Sequence, residues 1–156
     1  MKPTERAILH GSVVAGTLDL LSAFVFGGMA GANPVQIMAG VASGPFPAIG
    51  GGIGPALVGT IVHFAIMTAM VAAFVLAARR FPALLDRPVV SGLLYGVLLY
   101  LIMYRLVLPV RFPATQPKND WWTIANALFS HCICVGLPIA VITRSTLRSE
   151  RRGALQ

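Results

Sequence analysis

Three ionisable side chains, Asp19, His63 and His131, fall deep inside long apolar stretches of this sequence. A charged or titratable group in hydrocarbon costs free energy, so such residues face a bundle interior or a water-filled cavity and find a partner there. A carboxylate and two imidazoles brought together can relay protons, because histidine titrates near neutrality. They can also bind a metal ion, or hold haem through two histidines on separate helices. The competing reading is structural: each polar group hydrogen-bonds a backbone carbonyl or a neighbour and fixes helix register. For each histidine taken singly the structural reading is the stronger. For Asp19 function or obligatory pairing is the stronger, since a lone carboxylate at that depth is costly.

Other candidates carry less. Arg105 also lies within an apolar run, near one end, where its long stem can snorkel to the headgroups or its guanidinium can pair. His131-Cys132-Ile133-Cys134 resembles a metal motif on paper. On an α-helix only His131 and Cys134 share a face, so the cysteines read better as small buried hydrophobes. Two residues apart on a helix, they point to nearly opposite sides and are not expected to form a disulfide. His10 lies opposite Asp19 in helical phase and near a membrane surface. The sequence holds no phosphate-binding glycine loop, nucleophile elbow or HExxH, and no nucleophile–base pair, so no catalytic residue is assigned and an enzyme is not expected.

The elements that must position these residues are four apolar runs, at about 7–28, 55–78, 89–110 and 121–143. Each reaches the roughly 20 residues a membrane-crossing helix needs. Of the 156 residues only 11% are charged, too few to coat a soluble fold of this size, where about 25% is usual. The expected fold is therefore an all-α integral membrane protein: one domain over 1–156, a four-helix bundle with a basic cytoplasmic tail at 144–156. The first run also follows Lys2 and Arg6, as a signal peptide would. It is read as a retained span, because it is longer than a signal core and carries Asp19.

The net charge of +7 does not point to nucleic acid, because the basic residues cluster at the ends of the apolar runs. With both termini in the cytoplasm, Lys2, Arg6, Arg79, Arg80, Arg87, Arg144, Arg148, Arg151 and Arg152 lie inside. Only Arg111 and Lys118 lie outside. That bias sets a multi-pass orientation with both termini in the cytoplasm and puts Trp121 and Trp122 at the outer interface. Arg79, Arg80, Arg144, Arg148, Arg151 and Arg152 are suited to anionic headgroups, or serve only as topology anchors. In the same frame Asp19, His63 and His131 lie about 13, 12 and 15 Å below the outer surface, at nearly one level.

Helical phase refines this. The Asp19 face carries Ser12, Ala15, Gly16, Ser22 and Ala23, a small, polar stripe of the kind that faces other helices. His63 shares a face with Gly59 and Met67. Gly92 and Gly96 form a GxxxG pair for close helix packing. Arg105 lies about 180° round that helix from Gly96, away from the seam. Pro138 is expected to kink the fourth run and free the Cys134 carbonyl.

Between the first two runs, residues 29–54 carry no charge. Asn33-Pro34 reads as a helix cap and a first-turn proline, with a short helix over Val35–Ser43 stopped by Gly44-Pro45. Irregular backbone at membrane depth must be covered by protein or line water, so this segment is an interfacial cap or a re-entrant part of a pathway. Gln116 to Asp120 reads as a solvated turn.

Taken in order, Gly16-Thr17-Leu18-Asp19, Asn33-Pro34-Val35-Gln36, Ala42-Ser43-Gly44, His63-Phe64, Gly92-Leu93-Leu94-Tyr95-Gly96 and Ser130-His131 form a pattern that resembles the YagU-like, uncharacterised bacterial inner-membrane proteins. The resemblance implies an inner-membrane, four-helix plan and brings no activity with it.

Three functional readings follow, in this order. The first is a non-catalytic accessory or assembly component that partners another membrane protein through its helix faces. The second is a proton or small-ion transporter, acting as a homo-oligomer, that uses the Asp19, His63 and His131 cluster. The third is a haem- or metal-binding redox protein. No cofactor is expected under the first two, and the lipid bilayer is a partner under all three.

Overall fold

Only a helix or a closed barrel can satisfy every backbone N–H and C=O in hydrocarbon, and these apolar runs take the helical solution. The computed structural model describes residues 1–113 and 120–153, with side chains as far as 149. Its elements are α1 (Pro3–Met29), α2 (Pro34–Ser43), α3 (Ile53–Arg80), a 3-10 turn (Pro82–Leu85), α4 (Pro88–Leu101), a π-helical segment (Ile102–Val107) and α5 (Leu108–Arg111). Beyond residue 120 come α6 (Trp121–Phe129), a second π-helical segment (Ser130–Gly136) and α7 (Leu137–Gly153). Among the described residues there is no strand.

Four continuous helical stretches, Pro3–Met29, Ile53–Arg80, Pro88–Arg111 and Trp121–Ser149, are long and apolar enough to cross a membrane. The protein is an all-α membrane bundle. Each stretch outruns its apolar core because helix propagates past the hydrocarbon edge into polar residues. The 27 residues of α1 rise about 40 Å, against a hydrocarbon core of about 30 Å. The basic tail continues the same helix to the last described residue. Lys118 and residues Gln116 to Asn119 of the expected turn lie outside the described residues, as do the side chains of Arg151 and Arg152.

Local chemistry sets the boundaries. The Asn33 side chain accepts from the Gln36 amide at 3.0 Å, and the Gln36 side chain accepts from the Asn33 amide at 2.9 Å. This capping box, with Pro34 at the first turn, starts α2 as the sequence predicts. Gly52, at φ 103°, makes the left-handed entry into α3 that a side chain would oppose. Asp120 caps α6, accepting from the Thr123 amide at 3.0 Å and its hydroxyl at 2.8 Å.

Both π-helical segments end two residues before a proline, Pro109 and Pro138. Proline offers no N–H to the carbonyl four residues back and its ring crowds that turn. The backbone relieves this by widening into π turns, a form that concentrates at functional sites. At Pro138 the widened turn is what forms where a simple kink is expected. The α-helical face arithmetic that pairs His131 with Cys134 therefore does not hold across 130–136.

The glycine seam is used within the chain. A β-carbon at Gly92 would meet the backbone of Gly136 and Leu137, and one at Gly96 the backbone of His131 and Cys132. Gly136 approaches Gly92 and Gly96 from the other side. Gly59 of α3 admits the Met38 backbone of α2 in the same way, so α2 is packed along the upper part of α3. Within the uncharged segment that contact buries Met38, Ala39 and Ala42 of α2, while residues 45–48 and 50–54 are exposed.

One end of the bundle gathers the positive charge. Arg79 donates to the Thr4 hydroxyl at 2.5 Å, tying the end of α3 to the start of α1, and Arg148 pairs with Asp86 at 2.5 Å, tying α7 to the linker before α4. The apolar core fills the half nearer this end, with Val71, Val75, Ala78, Ile139 and Ala140 buried. The other half holds a cavity.

Candidate functional site

The small stripe of α1 is buried as phase predicts, with Ser12, Ala15, Gly16 and Ser22 all inside. Removing bulk from that face lets α3 approach, and His63, itself buried, reaches α1 across it. Its Nε2 lies 2.9 Å from the Gly16 carbonyl oxygen. Its Nδ1 lies 4.0 Å from a carboxylate oxygen of Asp19. The His63 ring is further held edge-on by Phe64, at 5.2 Å between centroids.

His131 comes from the second π segment. Its Nδ1 bonds the Ala127 carbonyl oxygen at 2.9 Å. Its ring stands edge-on to Tyr104 at 5.9 Å and to Tyr100 at 6.3 Å, and those two tyrosines stack at 5.0 Å. Both imidazoles lie within electrostatic range of the Asp19 carboxylate. The three residues singled out by depth therefore converge, from three spans, on one cavity of about 470 Å³ that all of them line.

The two carbonyl contacts define the protonation pattern. A carbonyl only accepts, so His63 carries hydrogen on Nε2 and His131 on Nδ1. In the neutral rings the remaining nitrogens, His63 Nδ1 and His131 Nε2, are lone-pair acceptors. His63 then faces the Asp19 carboxylate acceptor to acceptor unless a proton lies between them, on the acid or on the ring. The chemistry available is capture and release of a proton, or of a cation that takes its place.

The cavity runs from Asp19 towards the end that carries Trp122, past Phe26, Val41, Met103 and Tyr104. Nearer the basic end Tyr95 donates to the carbonyl of Met70, a lining residue, at 2.7 Å and packs on Phe74 at 5.0 Å. Ser22 and Ser130 join α1 to the π segment through a 2.5 Å hydrogen bond beside the site.

The other candidates fall elsewhere. Arg105 is exposed on the outside of its helix, and His10 is exposed too. Cys132 donates to the Leu93 carbonyl at 3.7 Å, and Cys134 lies beside Ser22, so the pair does not act as one ligand set. Among the described residues no three His, Cys, Asp or Glu side chains are grouped to hold a metal ion. Gly92 and Gly96 are packing residues, and through the His131 backbone they also set the depth of that imidazole.

Three contributors have no counterpart in the sequence reading. Tyr104 lines the cavity within electrostatic range of Asp19; its i, i+4 spacing from Tyr100 was the available signal. Gly136 completes the glycine seam. Arg111 donates through Nη2 to the Ser43 carbonyl at 3.0 Å and through Nε to that of Gly44, fastening the end of α2.

Compared with known proteins, the chain matches no family model, no curated protein and no solved structure.

Proposed function

We propose that this membrane protein transports protons or small cations, and that Asp19, His63 and His131 form its exchange site. One observation carries the reading: an acid and an imidazole 4.0 Å apart, the imidazole fixed by a backbone carbonyl, in a cavity that a second imidazole also lines. Buried ionisable groups of this kind mark ion pathways in membrane proteins. The assembly role named first from the sequence drew on few polar groups, short loops and the glycine seam, and of these the seam packs within the chain.

We assign the basic end to the cytoplasm of a bacterial inner membrane on the positive-inside rule, with both termini there and the cavity facing outward. The YagU-like resemblance agrees with that location. The test is proton flux into vesicles reconstituted with the purified protein and loaded with a pH-sensitive dye. Flux should follow an imposed gradient and fall at least about tenfold in Asp19→Asn, as expected when a required titratable group in a membrane pathway is removed. Wild-type vesicles no leakier than protein-free ones, across the pH range and with sodium or potassium present, would end this reading and return the accessory role to first place.

A further inference from the structure

We infer that the Asp19 cavity also binds a lipophilic organic monocation, an inference that rests on the proton-transport reading of the same site and names a cargo the proton would exchange with. The cavity combines one carboxylate with aromatic and thioether walls. Phe26, Tyr104 and Trp122 contribute rings, and Met67, Met70 and Met103 contribute flexible, polarisable side chains. Phe26 and Trp122 stand edge to face at 6.4 Å, so they form one continuous surface near the mouth. Neither Lys nor Arg is among the described residues that line it.

This composition selects by charge and by polarity. An anion would meet Asp19 and no compensating cation. A neutral apolar ligand would fill the walls and bury the carboxylate unpaired, which is costly. A bare inorganic cation would exchange its hydration shell for one carboxylate, the few polar groups of Thr123, Asn126 and Ser130, and a mostly apolar wall. An organic monocation satisfies both parts: its charge meets Asp19 and the electron-rich ring faces, and its apolar body meets the walls. The volume of about 470 Å³ lies within the roughly 300–1,000 Å³ typical of sites for small organic ligands.

Charge balance ties the ligand to the proton. With His63 Nε2 on the Gly16 carbonyl and Nδ1 4.0 Å from Asp19, one proton is assigned to this pair when no cation is bound. An entering monocation takes over the carboxylate, and that proton leaves to water, so the net charge of the site is unchanged. The titratable groups that face Asp19 are His63 from α3, His131 and Cys134 from the 130–136 segment, and Tyr104 from the 102–107 segment. None of these carries a fixed positive charge that would block a cation.

The experiment is calorimetric titration of the purified full chain in detergent with tetraphenylphosphonium, using tetraphenylborate, its near-isosteric anion, as the control. Saturable binding of the cation, no competition by the anion, and release of about one proton per cation in weak buffer are expected for a single carboxylate exchange. Asp19→Asn should weaken binding by at least about tenfold. Trp122→Ala, at a half-exposed position outside the core, should weaken it several-fold without unfolding the bundle. Equal affinity for the anion, or unchanged affinity in Trp122→Ala, overturns the inference even if the Asp19 variant fails to fold. Absence of cation binding alongside Asp19-dependent proton flux in vesicles overturns it and leaves the transport reading standing. Cation binding without proton release keeps the site and removes the proton coupling instead.

Discussion

The imidazole of His63 bridges two features of α1, with Nε2 2.9 Å from the Gly16 carbonyl and Nδ1 4.0 Å from the Asp19 carboxylate. The carbonyl contact dictates which nitrogen keeps its hydrogen, so the Asp19 side of the ring changes when a proton comes or goes. The pair should then be energetically coupled. In a double-mutant cycle of Asp19→Asn and His63→Gln, thermal unfolding in detergent should give a coupling of about 0.6–2 kcal/mol, the scale of buried polar pairs in membrane bundles. Additive effects would show that the two side chains do not share a proton.

The glycine contacts separate residues that look alike in sequence. Gly96 of α4 meets the backbone of His131 and Cys132, whereas Gly40 of α2 has open space where a β-carbon would go. Gly96→Ala should cost about 1–3 kcal/mol by overpacking and should also displace His131. Gly40→Ala should leave the protein as stable or up to about 1 kcal/mol more so, by helix propensity. Thermal melts of the two variants, with the His131 ring resonances followed by NMR, check both. Equal destabilisation would contradict the packing of α4 on the π segment.

Much of the site was readable because it obeys two simple rules. Apolar run length placed four helices, and a rise of 1.5 Å per residue put Asp19, His63 and His131 at one level. Helical phase correctly turned Ser12, Gly16 and Ser22 inward. What escaped depends on departures from the α-helix or on distant partners. The π turns before Pro109 and Pro138 alter residue phase, so Tyr104, Cys134 and Gly136 could not be assigned to faces at 100° per residue. The Arg111 tether joins residues far apart in sequence, and only the packing of α2 on Gly59 brings them together.

Asp120 links the start of the fourth span to pH. Hydrogen bonds from the Thr123 amide, and then from its hydroxyl, hold the Asp120 carboxyl below its ordinary value. A carboxyl whose folded pKa is depressed stabilises the fold fully above the unfolded value, near 3.9, and loses that contribution as pH falls through the folded value. Hydrogen exchange at the Thr123 amide, corrected for its intrinsic pH dependence, should therefore stay slow at neutral pH and quicken in the acid range below about 4. In Asp120→Ala it should be several-fold faster at neutral pH, and the acid step should vanish. An acid step that persists in the variant would assign it to another group.

Arg111 gives the last prediction, because it connects the bundle to the segment that walls the cavity. Its guanidinium serves the carbonyls of Ser43 and Gly44, the end of a helix that has no basic residue of its own in its last turn. Val41 of that helix lines the cavity, so the tether bears on the site. Arg111→Ala leaves two part-buried carbonyls short of a donor. The local cost should be about 1–3 kcal/mol, the penalty for partly buried polar groups deprived of their partner. Arg111→Lys should recover only part of this, since a single ammonium cannot reproduce the two-pronged geometry of the guanidinium. Amide exchange across α2 should accelerate in both variants, more in the alanine one, while α1 and α7 remain as protected as before. Uniform acceleration in every helix would mean that Arg111 supports the bundle as a whole and not the docking of α2, whereas unchanged exchange in α2 would mean that packing on Gly59 alone holds it.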